Sequence, residues 1–215
     1  MIRVMVVDDD AMVRRLLRTI LRPDDIEVVA EASDGDQVLP AVQAHRPDVV
    51  LMDLRMARVD GIDATRALQA LPDPPGVIAM TSFDTEQAIL DAVHAGASGF
   101  LAKDAEPTEI VAAVRAVAAG DGLLSPRATR TVLAQVAAAP GAAGRREAAE
   151  RLATLTEREF DVARLVAEGL SNADIAQRLF LGEATVKTHL ASASAKLGVA
   201  NRVQLAVALT QAERA

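Results

Sequence analysis

The sequence predicts an α/β, doubly wound domain with a parallel five-stranded sheet, followed by an all-α domain of four helices. Three observations carry this. Short apolar runs alternate five times with helical patterns over residues 1–120. The runs Val49–Met52 and Val77–Met80 are continuously apolar, as in strands buried on both faces. Residues 150–215 then show only helical patterns, separated by glycines.

The predicted strands are 2–7, 26–30, 48–53, 76–81 and 98–102, and the predicted helices are 10–21, 34–45, 62–70, 85–95 and 107–119. Right-handed crossovers follow from this alternation. Pro107 suits a first helical turn, and Gly120 and Gly122 suit a helix end. Pro40 lies inside the second helical pattern and is expected to kink or shorten it. Ser125-Pro126 can open a short linker helix through Val136, and Pro140-Gly141-Ala142-Ala143-Gly144 is a flexible stretch that marks the boundary. The expected division is 1–120, a partly helical linker over 121–150, and 151–215. Beyond the linker, Thr156-x-x-Glu159 is a capping-box pattern opening a helix to Glu168, closed by Gly169. Ser171-x-x-Asp174 opens a second helix to about Phe180, which Gly182 breaks. A third runs from Glu183 to Leu197, Gly198 stops it, and Asn201 can cap a fourth. Two helices joined by a short Gly-containing turn form a helix-turn-helix pattern.

The 215 residues suffice for two modest domains, and about half are hydrophobic, so each domain can bury a core. With no Cys there is no disulfide framework and no thiolate metal site. The longest apolar runs fall far short of the roughly 18 residues that span a bilayer, and the first residues form a strand pattern rather than a signal-peptide core. A soluble, cytoplasmic protein with no membrane partner is expected. Trp and Tyr are absent and Phe occurs four times, which disfavours aromatic platforms for single-stranded nucleic acid. The net charge of −7 is uneven: residues 1–130 carry 13 Lys+Arg against 21 Asp+Glu (−8), whereas residues 150–215 carry 8 of each. The second domain can therefore approach DNA without strong repulsion, though the electrostatic share of its affinity is modest.

The chemistry concentrates at strand ends. Asp8, Asp9 and Asp10 close the first strand, Asp53 the third and Thr81 the fourth, and Lys103 follows the fifth. Open α/β sheets place ligands at that carboxyl edge. Clustered carboxylates suit Mg²⁺, and a lysine suits a phosphoryl group. Asp53, alone on a central strand, is read as the phosphoacceptor. Asp8 and Asp9, with Asp53 and the backbone carbonyl of Arg55, are read as metal ligands. Lys103 offsets phosphoryl charge and Thr81 donates its hydroxyl. Asp10 is read as a helix N-cap or a solvated loop residue and receives no metal role.

Val6-Val7-Asp8-Asp9, Leu51-Met52-Asp53-Leu54-Arg55-Met56, Asp60-Gly61, Met80-Thr81-Ser82 and Gly96-Ala97-Ser98-Gly99-Phe100-Leu101-Ala102-Lys103 closely resemble a bacterial response-regulator receiver domain. The resemblance implies that Asp53 takes phosphoryl from a cognate sensor histidine kinase. It also implies that Thr81 reorients toward the phosphate and that Phe100 turns inward as the switch aromatic, through packing alone since it has no hydroxyl. One departure is Ala57, where the family usually has Pro, which loosens the loop over the site. Leu155-Thr156-Glu157-Arg158-Glu159, Val166–Ala176 and Ala184-Thr185-Val186-Lys187-Thr188-His189 resemble the LuxR-type helix-turn-helix, so the whole chain resembles a NarL/FixJ-type regulator.

In the third helix of that domain, Val186, Leu190, Ala193 and Leu197 recur at spacings of 4, 3 and 4 and form its buried stripe. Thr185, Lys187, Thr188 and Ser192 are then the expected contacts to double-stranded DNA in the major groove. Thr185 suits a phosphate, Lys187 a phosphate or base edge, and Thr188 a base or its methyl. His189 is read as a packing residue. The expected function is a phosphorylation-controlled, homodimeric transcriptional regulator. The Ala/Ser-rich run Leu190–Ala195 motivates the alternative, a receiver whose effector binds DNA weakly and acts through protein–protein contacts. An aspartyl-phosphate hydrolase is disfavoured: Arg55 stands where a second Asp would be needed, and no cap domain is present. No enzymatic activity beyond self-phosphorylation and self-dephosphorylation is expected.

Overall fold

The computed structural model describes residues 1–23, 25–82, 85–124 and 150–213. The expected linker helix from Ser125 and the Pro140–Gly144 boundary lie outside the described residues. The chain forms two compact units, Met1–Ala128 and Thr129–Ala215.

The first unit is a parallel sheet in the order β2-β1-β3-β4-β5-β6. Its strands are β1 (Ile2–Val7), β2 (Ile26–Ala32), β3 (Val49–Asp53), β4 (Gly76–Thr81), β5 (Gly99–Ala102) and β6 (Leu123–Leu124). The five expected strands are present, and β6, a two-residue strand beyond Gly120, extends the edge beside β5. The intervening helices are α1 (Ala11–Ile20), α2 (Val38–His45), α3 (Gly61–Gln69), α4 (Glu86–Ala95) and α5 (Pro107–Ala118). Alternation along β1 divides the interior. Val4 and Val6 join Leu17, Leu51, Ile78 and Val114 on one face, while Met5 and Val7 join Val38, Val50, Met52 and Leu68 on the other. All five residues of β3 are buried, which explains its unbroken apolar run.

Pro40 shortens rather than kinks. A 3₁₀ turn (Gly35–Gln37) precedes α2, so Pro40 falls in the first α-helical turn, where its missing N–H removes no hydrogen bond. Gly96 ends α4 at φ 105°, a left-handed conformation natural to glycine.

The second unit contains α6 (Glu157–Ala167), α7 (Asn172–Leu179), α8 (Glu183–Leu197) and α9 (Arg202–Glu213) around one core that includes Val162, Leu165, Ile175, Val186, Leu197 and Leu205. Thr156 caps α6 and Ser171 caps α7, each in a reciprocal capping box. One punctuation differs from expectation. α7 is ended by Phe180 in the left-handed conformation (φ 55°), at a cost of about 1–2 kcal/mol for a non-glycine residue. Gly182 instead stands at the N-cap of α8, where it supplies no side-chain cap. Among the described residues no helix is long and apolar enough to cross a membrane.

Candidate phosphoacceptor site and nucleic-acid interface

The parallel register brings the strand ends into one pocket. β1 and β4 flank β3, so Asp8, just past β1, and Thr81, closing β4, stand on either side of Asp53. β5 adjoins β4, and its continuation delivers Lys103, whose backbone N–H donates to the Thr81 carbonyl at 2.9 Å. Asp8, Asp53 and Thr81 are buried, whereas Asp9 is exposed. Carboxylate oxygens of Asp8, Asp9 and Asp53 all lie within 4.8 Å of one another. The Lys103 ammonium donates to Asp8 at 2.6 Å and to Asp53 at 3.0 Å.

Local structure fixes these groups. The Asp10 N–H donates to the Asp8 carboxylate, and Asp10 itself caps α1 by accepting from Met12 N–H, the first of the two roles open to it. The Arg14 guanidinium donates to the Asp8 carbonyl at 2.7 Å and clips the β1–α1 turn. The Arg55 N–H donates to Asp53. Gly61 opens α3 against the end of β3: a Cβ there would lie 2.0 Å from the Asp53 carbonyl oxygen, so only glycine fits. Phe100 is fully buried in β5, beside Ala79.

Burial pushes the Asp53 carboxyl above its ordinary range, and the hydrogen bond and charge of Lys103 offset this only in part. For Lys103, burial lowers the ammonium, but the bonds it donates to Asp8 and Asp53 outweigh burial and raise it. One cation is thus shared between two buried acids, and the site keeps an excess of negative charge. Three converging carboxylates are a hard-oxygen donor set of the kind Mg²⁺ prefers.

In the second unit, α8 presents Thr185, Lys187 and Thr188 to solvent. Lys187 forms no ion pair among the described residues, and the Thr188 hydroxyl donates back to the Ala184 carbonyl at 3.0 Å. Val186, Ala193 and Leu197 are buried as the periodicity requires, with Leu190 and His189 half-buried. Ser192 does not join the exposed set. Its hydroxyl donates to Glu159 on α6, inside the domain. The sequence reading places a groove contact there; in the structure a buried carboxylate on α6 takes the hydroxyl.

Family comparisons decide the assignment. Residues 4–115 match the response regulator receiver domain, and residues 153–209 match the bacterial regulatory proteins of the luxR family. The chain belongs to the response regulators. It is similar to the DNA-binding transcriptional activator DevR/DosR of Mycobacterium tuberculosis, at 39% identity over 100% of this chain and 96% of that protein. It is likewise similar to the transcriptional regulatory protein LiaR of Bacillus subtilis, at 38% identity over 96% of each. Among solved structures it resembles the response regulator ChrA of a heme-sensing two-component system, with TM-score 0.53 and 41% identity, covering 99% of this chain and 98% of that one.

Two residues of this response regulator carry more structure than sequence reasoning gave them. Glu159, recognised as a capping-box member, accepts from Thr156 N–H at 2.8 Å but also from Ser192 and from Lys196 Nζ at 2.6 Å. The hydrogen bond from Lys196, then that from Ser192, hold its carboxyl down to about 2. Asp34 was passed over altogether. It is buried and binds the loop after β3. Its only sequence signal is an Asp-Gly pair ahead of a helix.

Proposed function

We propose that this response regulator accepts a phosphoryl group on Asp53 from a cognate sensor histidine kinase and thereby controls homodimerisation and binding to double-stranded DNA in the cytoplasm. The observation that carries this is the Asp8/Asp9/Asp53 cluster with the Lys103 ammonium bridging two of its members. In the transfer, an Asp53 carboxylate oxygen bonds to phosphorus as the phosphorus–nitrogen bond to the kinase histidine breaks. Asp8, Asp9, Asp53 and the Arg55 carbonyl would hold Mg²⁺, which when bound draws charge from the phosphoryl oxygens. Lys103 would neutralise a further phosphoryl oxygen. Thr81, next to Asp53 at the end of β4, donates its hydroxyl to a third. Added charge and acceptor oxygens at Asp53 shift the population toward an arrangement that draws in Thr81 and Phe100. Thr185, Lys187 and Thr188 contact the major groove, and a two-fold dimer reads two half-sites about one helical turn apart or a multiple of it.

The test uses beryllofluoride or acetyl phosphate with Mg²⁺ on the full chain. Dimerisation and DNA retention are expected to respond in the wild type and not in Asp53→Asn. Equal responses in both would overturn the assignment.

One observation favours a second reading. With Ser192 turned inward and Ala184 and Ala191 exposed, the groove-facing surface of α8 carries few base-reading groups. An effector that binds DNA weakly and acts through protein contacts fits that surface. A binding selection on genomic DNA at physiological salt separates the two, since only the first yields an enriched, phosphorylation-dependent motif.

A further inference from the structure

The loop from Arg55 to Asp60 forms one wall of the site, and its two ends are secured. Arg55 N–H donates to Asp53 at 3.3 Å, and Gly61 N–H donates to the Leu54 carbonyl at 3.1 Å. Its middle carries Ala57, which, unlike proline, leaves φ free. Asp34, on the β2–α2 connection, holds that middle. Its two carboxylate oxygens accept from Arg58 N–H at 3.0 Å and Val59 N–H at 2.9 Å, and the Arg58 Nε lies 3.4 Å away. The Arg58 guanidinium reaches on to Asp36 at 2.9 Å. Gly35 N–H donates to the Val59 carbonyl, and a Cβ on Gly35 would sit 2.4 Å from that oxygen. The two connections are interlocked.

The obvious duty of Asp34 would be to cap the 3₁₀ turn that follows it, but its side chain makes no cap hydrogen bond. The carboxylate is 4% exposed and spends its acceptors on a loop 24 and 25 residues away. The Val59 N–H, ahead of the bonds from Arg58, holds it below the usual carboxylate range and therefore ionised.

We propose that Asp34 is a positioning residue for the phosphoacceptor site: its clasp on Arg58 and Val59 sets the loop that carries the Arg55 carbonyl and replaces the rigidity that a proline at position 57 would supply. This rests on Asp53 being the phosphoacceptor and Arg55 a metal ligand. Ala57 N–H donates to no acceptor among the described residues, so a proline there sacrifices no hydrogen bond.

The experiment measures the initial rate of acetyl-phosphate labelling of the full chain, by mass, against Mg²⁺ concentration. Asp34→Ala is expected to raise the Mg²⁺ concentration for half-maximal rate about 10-fold, the scale for losing an outer partner of a metal site. The rate at saturating Mg²⁺ falls much less. Asp34→Ala/Ala57→Pro is expected to recover most of the loss. A folded Asp34→Ala, judged by cooperative melting, with an unchanged Mg²⁺ requirement overturns the inference, as does a double variant no better than the single. Should Asp34→Ala not fold, Asp34→Asn, which keeps one acceptor oxygen, takes its place with an intermediate shift expected. Failure of the underlying assignment looks different: wild-type chain that is never labelled, or labelling that survives Asp53→Asn.

Discussion

Each unit of this response regulator buries a carboxylate beside a lysine, and the two arrangements have opposite balances. In the receiver, Asp8 and Asp53 share Lys103, and burial leaves Asp53 raised. In the effector, Glu159 alone accepts from Lys196, Ser192 and Thr156, and sits at about 2. The first acid shares its one cation with a second buried carboxylate, the arrangement on which the proposed phosphoacceptor role rests. The second has every need met and serves as scaffolding, holding α8 against the start of α6. For Asp53 burial outweighs the one shared donor, whereas for Glu159 the bonds it accepts outweigh burial.

The largest effect should come from removing the shared cation. Lys103→Ala leaves buried carboxylates facing one another and is expected to destabilise the receiver by about 3 kcal/mol without metal, the low end for a buried pair deprived of one partner. Mg²⁺ should then raise the melting temperature of this variant more than that of the wild type, as calorimetry would show. No rise in either would mean that the acids do not form a common cation site.

The effector carboxylate gives the next effect, with a definite pH window. Its folded pKa of about 2 lies below the ordinary value of 4.5, so the stabilisation is complete above pH 4.5 and is lost as pH falls toward 2. The effector unfolding transition should drop across that window, and in Glu159→Ala it should start lower and fall less. A wild-type transition that is flat between those limits would break the contrast drawn here.

A smaller effect sharpens the division between interior and groove in α8. Lys187→Ala should reduce the slope of log affinity against log salt by about one unit if Lys187 meets a phosphate. Ser192→Ala should leave the slope unchanged while lowering stability, because its hydroxyl serves Glu159. The smallest effect concerns the scaffold alone. Gly182 is an N-cap without a side-chain acceptor, with only Thr185 Oγ1 near the place of its Cβ, at 3.8 Å. Gly182→Ser should therefore stabilise the effector by a few tenths of a kcal/mol in denaturant unfolding.

Most of the fold was legible because its signals are local. Continuous apolar runs gave β3 and β4, cap residues gave the starts of α6 and α7, and strand ends located Asp8, Asp53, Thr81 and Lys103. The exceptions are of two kinds. Some depend on contacts distant in sequence. Ser192 borders the buried stripe of α8, and only the presence of Glu159, 33 residues earlier, turns its hydroxyl inward. Asp34 looks like any turn aspartate until the loop it grips is folded against it. Others defy the local rule itself. Strand β6 is too short for any periodicity to register, and Phe180 takes a backbone conformation that sequence rules assign to the nearby glycine.

Strand β6 also has a mechanical consequence. Its Leu123 and Leu124 lie in register with Gly99 and Phe100, so the chain beyond α5 returns to the sheet and runs beside the strand that houses Phe100. The segment that follows α5 is therefore held to β5 through peptide groups. A displacement of that strand would carry β6 with it, with no side chain needed as intermediary.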